Sequence, residues 1–205
     1  MRDRTFAAGV VASLAATALI LVLGTSGRSA TDPGLALTPV PERPGAAVAR
    51  AADAPTPRDP RVRSELRRLA AQGGKILDER IADRLARLRG VPVVVNMWAS
   101  WCPSCRSEFP AFATVSDRYR GKVAFLGLDA GDDRGEAERF LREFPLPYPS
   151  VFDPRSAQSR AIGAGRSWPT TVFFDARGKR TFVRQGGYTG TRLLDADVRT
   201  YALAR

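Results

Sequence analysis

Residues 92–98 read Pro-Val-Val-Val-Asn-Met-Trp, and after a three-residue gap come Cys102-Pro103-Ser104-Cys105. An unbroken β-branched run of this kind is a central strand buried on both faces, so it needs a covering layer above and below. The spacing then predicts a helix from near Cys102 toward Arg120. A strand that delivers a cysteine onto a helix start restricts the chain to alternating strands and helices, an α/β sandwich.

The placement of the cysteines has a chemical consequence. A helix start offers unpaired backbone N–H groups and the positive end of the helix dipole, both of which favour an anion. Pro103 suits the first helical turn, where its missing N–H costs nothing. The amides of Ser104 and Cys105 are then free to face the Cys102 sulfur, whose thiolate is stabilised and whose pKa falls below ~8.5. Cys105, one turn along, can attack back and close the ring, which makes the pair a redox couple. A structural bridge is the plainer alternative, but so short a loop gains only about 2 kcal/mol, against ~4.7 for a hundred-residue loop. Half a zinc site is another, and it would need two ligands from a partner. The Trp-Cys-x-x-Cys arrangement between strand and helix favours redox chemistry.

Composition removes other chemistries. The 205 residues include no histidine and two cysteines, which excludes Ser-His-Asp and Cys-His catalysis, His-ligated metal and a multi-bridge disulfide framework. No cofactor or metal is called for. The formal net charge is +11, with arginine far outnumbering the three lysines, Lys75, Lys122 and Lys179. These arginines are interleaved with acids along the chain, so the charge reads as a solvated surface attracted to anionic lipid rather than a nucleic-acid site.

Three segments are expected. Residues 1–23 hold an uncharged run from Phe6 to Leu23 behind Arg2 and Arg4. At helical rise it spans roughly 27 Å, enough for a membrane anchor with its N-terminus in the cytoplasm. The competing reading is a cleaved signal peptide, but residues 24–30 offer no clean Ala-x-Ala site. Residues 24–60, rich in proline and alanine, read as an extended linker. Residues 61–205 are the folded domain. Within it Val62, Leu66 and Leu69 have helical spacing, as do Ile76, Leu77, Ile81, Leu85 and Leu88, stopped by Gly90. Residues 122–129 read as a second buried strand, and Asp133 with Glu136 as a capping box for a helix through Phe144. A short helix over 154–162, a strand over 169–175, its hairpin partner over 180–185 and a closing helix over 191–204 complete the pattern.

The run from Val93 through Trp101-Cys102-Pro103-Ser104-Cys105 to Pro110, Phe125-Leu126-Gly127-Leu128-Asp129 and Ser167-Trp168-Pro169-Thr170-Thr171 resembles a known family. It is similar to the membrane-anchored thioredoxin-like thiol:disulfide oxidoreductases of the TlpA, ResA and DsbE type, in the redoxin or AhpC/TSA superfamily. The resemblance implies a thioredoxin-like sandwich with a mixed central sheet, helices on both faces and an inserted strand and helix over roughly 122–152. It implies disulfide exchange with envelope proteins, a membrane electron donor or acceptor, and a part as reductant in cytochrome c maturation.

Carried over by position, Cys102 is the attacking thiolate, Cys105 the resolving thiol and Glu108 an acid beside the site. Trp101, Pro103, Trp168 and Pro169 would line the peptide groove, with Pro169 cis. Without the resemblance, Glu108 is an exposed helix carboxylate and Pro169 an ordinary strand-start proline. Asn96 stands where ordinary thioredoxins carry a buried aspartate, so any proton acceptor must lie elsewhere. Trp168 is bulkier than the usual residue before the proline. Peroxidase action is disfavoured, because no Thr-x-x-Cys precedes either cysteine. A redox-silent thioredoxin-fold binding module is the rival reading, and keeping both thiols argues against it.

Overall fold

The computed structural model describes residues 54–203. The expected anchor and all but the end of the expected linker lie outside the described residues. Helix α1 (Pro60–Ala71) opens behind Asp59, whose side chain accepts from the Arg61 amide, and buries Val62, Leu66 and Leu69. Next come β1 (Ile76–Leu77) and α2 (Ile81–Arg87). The sequence pattern placed Ile76 and Leu77 on a helix with Ile81. Instead they pair in parallel with residues 150–151, because a two-residue apolar step at a sheet edge carries no period of its own.

Strand β2 (Val93–Trp98) is buried at all six positions. Helix α3 (Pro103–Arg118) follows, and it runs through Pro110 as one element. Then come β3 (Ala124–Ala130), α4 (Arg134–Glu143), β4 (Ser150–Asp153), α5 (Ala157–Ala161), β5 (Thr170–Phe174), β6 (Arg180–Gln185) and α6 (Thr191–Asp197), which passes into a π-helical turn, Val198–Ala202. Asp133 caps α4 by accepting from the Gly135 and Glu136 amides, but Glu136 pairs with Arg139 rather than completing the box.

The sheet order is β1-β4-β3-β2-β5-β6. β2 is parallel to β3 and antiparallel to β5, so the sheet is mixed. Strand alternation divides β2 between two cores. Val94 and Trp98 meet Phe109 and Phe112 of α3, Phe140 of α4 and Leu194 of α6. Val93, Val95 and Met97 meet α1 and α2 through Leu66, Leu69, Ile81 and Leu88. Asn96 shares the parity of Val94 and Trp98 and so lies under α3.

Tight packing around Trp98 fixes the end of β2. Its ring lies edge-on to Phe109 and stacks on Phe140, and its indole N–H donates to Ser150 Oγ at 3.0 Å. Gly127 makes that bond possible, because a Cβ there would lie 2.0 Å from Ser150 Oγ and 2.8 Å from the Trp98 nitrogen.

Candidate active site

β2 ends at Trp98, and the chain turns once before α3. The Cys102 amide closes that turn by donating to Ala99 O at 3.1 Å. Asp132, on the loop after β3, clamps the same turn by accepting from the Ser100 amide at 2.5 Å and from its hydroxyl at 2.8 Å. Cys102 thus becomes the N-cap of α3, and its sulfur accepts from the Cys105 amide at 3.1 Å. The two cysteines are joined in a disulfide. Cys102 is 3% exposed and Cys105 0%, so the small opening to solvent is at Cys102. Pro103 occupies the first helical turn, where no N–H is missed.

Two tryptophans flank this turn. Trp101 is 55% exposed, the largest exposure of a bulky apolar side chain among the described residues. Its indole donates to Gly131 O at 3.0 Å, while the Trp168 indole donates to Ala130 O at 2.9 Å. Both rings are therefore hung from the end of β3, with centroids 5.2 Å apart. The Trp168–Pro169 peptide is cis. Pro169 O accepts from the Gly186 amide at 2.9 Å. A Cβ on Gly187 would lie within 3.6 Å of both Pro169 and Glu108, so the loop after β6 closes over the proline and the acid together.

Glu108 is not the exposed helix carboxylate that the sequence alone allows. It is completely buried, one helical turn past Cys105 and on the same face of α3. Oε1 accepts from Asn96 Nδ2 at 2.7 Å and Oε2 from the Tyr188 amide at 3.1 Å. Burial raises its pKa to about 7, outweighing the two hydrogen bonds that favour the anion. The Tyr148 phenol is pushed up by its own burial first and by the Glu108 charge second. Tyr188 is anchored by its own hydroxyl, which donates to Asp197 at 2.8 Å, and Arg184 completes that group at 2.5 Å.

Cys102, Cys105, Glu108, Trp101, Pro103, Trp168 and Pro169 therefore gather at one end of the sheet. Sequence reasoning missed Tyr188, Asp132 and Asp129, and it treated Asn96 only as the loss of an acid. The parity of β2 was the available signal for Asn96, since it sets that residue on the face α3 covers.

The profile of the AhpC/TSA family matches residues 75–182, just over half of the chain. This chain belongs to the AhpC/TSA family. Within the family it is 33% identical over 97 residues to the thiol-disulfide oxidoreductase ResA of Geobacillus thermodenitrificans, covering 47% of this chain and 55% of ResA. It is 36% identical over 94 residues to the thiol:disulfide interchange protein DsbE of Pseudomonas fluorescens, covering 45% and 51%. The chain thus spans about half the length of the curated relatives it matches. A thioredoxin family thiol:disulfide interchange protein from Chlorobium tepidum superposes with a TM-score of 0.51 at 28% identity, covering 58% of this chain and 84% of that one. The fold is thioredoxin-like.

Proposed function

We propose that this chain is a thiol:disulfide oxidoreductase acting on protein thiols and disulfides outside the cytoplasm, tethered by residues 6–23. One observation carries the reading: the Cys102 sulfur caps α3 and faces the Cys105 amide, and of the two cysteines it is Cys102 that keeps a small opening to solvent among the described residues. The names of the AhpC/TSA relatives, thiol-disulfide oxidoreductase and thiol:disulfide interchange protein, support it.

In the reducing direction, the Cys102 thiolate attacks a client disulfide. One client sulfur leaves as thiolate and a mixed disulfide forms. Cys105 then gives its proton to Glu108 and attacks the Cys102 sulfur, releasing the second client thiolate. The client gains two electrons and the Cys102–Cys105 bond stores the oxidation. Glu108, with a pKa near neutrality, is matched to accepting and returning that proton. Trp101, Trp168 and Pro169 line the side from which a client strand approaches. A reductant's part in cytochrome c maturation, fed by a membrane electron donor, fits this direction.

Insulin reduction by the dithiol form tests the activity, and inactivity with both thiols intact would leave a redox-silent binding module instead. Equilibration with glutathione sets the direction: a potential near about −270 mV marks a reductant, one near about −120 mV an oxidant. A reporter fused after Arg205 should be active only outside the cytoplasm, and activity inside would overturn the tether.

A further inference from the structure

Asp129 stands next to the end of β3, and the exchange mechanism gives it no task. It is fully buried, on the row shared with Trp98 and Phe152, and neither carboxyl oxygen meets a hydrogen-bond donor. The charged groups that act on it are Asp132, Arg134 and Asp153. Asp153, closing β4, is spent on the Gln158 and Ser159 amides at 3.1 and 2.8 Å. Arg134 lies over the Phe152 ring and pairs with Asp78 and Glu138.

That leaves Asp132, brought back toward the strand by Gly131, whose φ of +69° is the left-handed conformation glycine adopts freely. Asp132 is itself an acceptor, holding the Ser100 amide and hydroxyl and the Asp133 amide. Asp132 is half-buried and its side chain lies within hydrogen-bonding reach of the fully buried Asp129, and two acceptors so placed are satisfied by a proton between them. Left ionised, Asp129 would be a desolvated charge beside a like charge.

We propose that Asp129 is held protonated and donates its O–H to Asp132, so that this acid pair fixes Ser100 and, through it, the Trp101–Cys102 turn. Asp129 is a positioning residue, acting through Asp132 on the backbone that presents the attacking sulfur. Burial first and Asp132 second push its pKa up to about 9, with Asp153 adding and Arg134 subtracting. Once Asp129 ionises, two negative charges oppose each other, and Asp132 is repelled from the position in which it holds Ser100. The clamp is closed at neutral pH and opens in alkali.

Infrared difference spectra of the full chain at pH 7 test the proton directly. A protonated-carboxyl C=O band should vanish in Asp129→Asn. It should also vanish in Asp132→Asn, whose amide can donate to an ionised Asp129 and lower its pKa. Glu108 contributes a second such band near neutrality, which Glu108→Gln removes and Asp129→Asn leaves. Hydrogen exchange at the Ser100 amide, corrected for its intrinsic pH dependence, should lose about tenfold protection as Asp129 ionises in the wild type. In Asp129→Asn, where the amide donates to Asp132 at every pH, protection should stay constant. With the Glu108 band removed by Glu108→Gln, the absence of any remaining band, or a remaining band that survives both substitutions, or the same pH course of protection in wild type and Asp129→Asn, would overturn the proposal. Neither readout depends on oxidoreductase activity, so the proposal and the exchange function fail separately.

Discussion

Asn96 donates to Glu108 at 2.7 Å, one fully covered polar side chain to another across the packing of β2 on α3. The other end of the Asn96 amide, Oδ1, has no partner. An amide can present either end. To ionised Glu108 it offers N–H, and to the protonated acid a turned amide offers Oδ1. Asparagine therefore serves both protonation states of the acid, which a second carboxylate at position 96 could not do.

Glu108→Gln follows directly. The new side-chain amide can donate to a turned Asn96 while its oxygen still accepts from Tyr188, so the fold should hold. The pH dependence should change. Wild-type Glu108 has a pKa raised from 4.5 to about 7, so the folded state binds the proton more tightly than the unfolded chain. The stability this gives is complete below pH 4.5 and is lost as pH rises to about 7, in total about 3 kcal/mol. Urea titrations between pH 4 and 8 should show that decline in the wild type and its flattening in Glu108→Gln. Equal slopes would mean that Glu108 titrates normally. Resolution of mixed disulfides should also slow in the variant.

Asn96→Asp should have the opposite character. Two buried carboxyls would share one proton near neutrality, and stability should fall further as pH rises. A pH–stability profile with a second, more alkaline step checks this, and a single unshifted step would count against it.

What could be read from the sequence follows from the range of each interaction. β2 and the start of α3 were legible because their signals are local: a β-branched run, then a cysteine and a proline where a helix begins. β4 was not, since Ser150–Asp153 is four residues behind Pro147 and Pro149 and becomes a strand only by pairing with β1 and β3. The Asn96–Glu108 contact joins a strand to a helix, and Ser100–Asp132 joins loops 32 residues apart. A resemblance could place Glu108 near the site. Its burial depends on Tyr188 and the loop after β6, which no nearby pattern announces.

Gly127→Ala should destabilise the sheet centre by roughly 1–3 kcal/mol, because the added methyl overlaps the Trp98–Ser150 hydrogen bond. Ser150→Gly removes the two Ser150 atoms that the methyl meets and leaves only the Trp98 indole nitrogen, at 2.8 Å, in its way. Chemical denaturation of the two single variants and the double should give a double variant more stable than the sum of the singles implies. Strict additivity would show that the sheet relaxes some other way.

Arg84, only 3% exposed, ties α2 to α1 through Glu65 at 2.6 Å and reaches Glu79 and Gln72 as well. Arg84→Met leaves Glu65 buried without its closest cation. Breaking such a pair costs ~3–5 kcal/mol, but Arg87 stays 3.4 Å from Glu65, so a loss of about 2–3 kcal/mol is expected. Adding Glu65→Gln should recover much of it. A neutral Arg84→Met would show that Arg87 takes over the pairing.

The cysteines should divide their labour by position. Cys102 sits at the N-cap with the Cys105 amide aimed at its sulfur, and what exposure the dithiol has is at Cys102. In the reduced protein its thiolate is favoured by that amide and the helix start, whereas Cys105 lies within the core. Alkylation at pH 7 should therefore modify Cys102 first. Cys105→Ser should accumulate mixed disulfides with client proteins, because the attack by Cys102 remains but nothing resolves it. Cys102→Ser should accumulate none, since the remaining thiol is buried. Non-reducing gels of cells expressing each variant, trapped in acid, read this out. Faster alkylation of Cys105, or client adducts on Cys102→Ser, would reverse the two roles and with them the direction from which a client must approach.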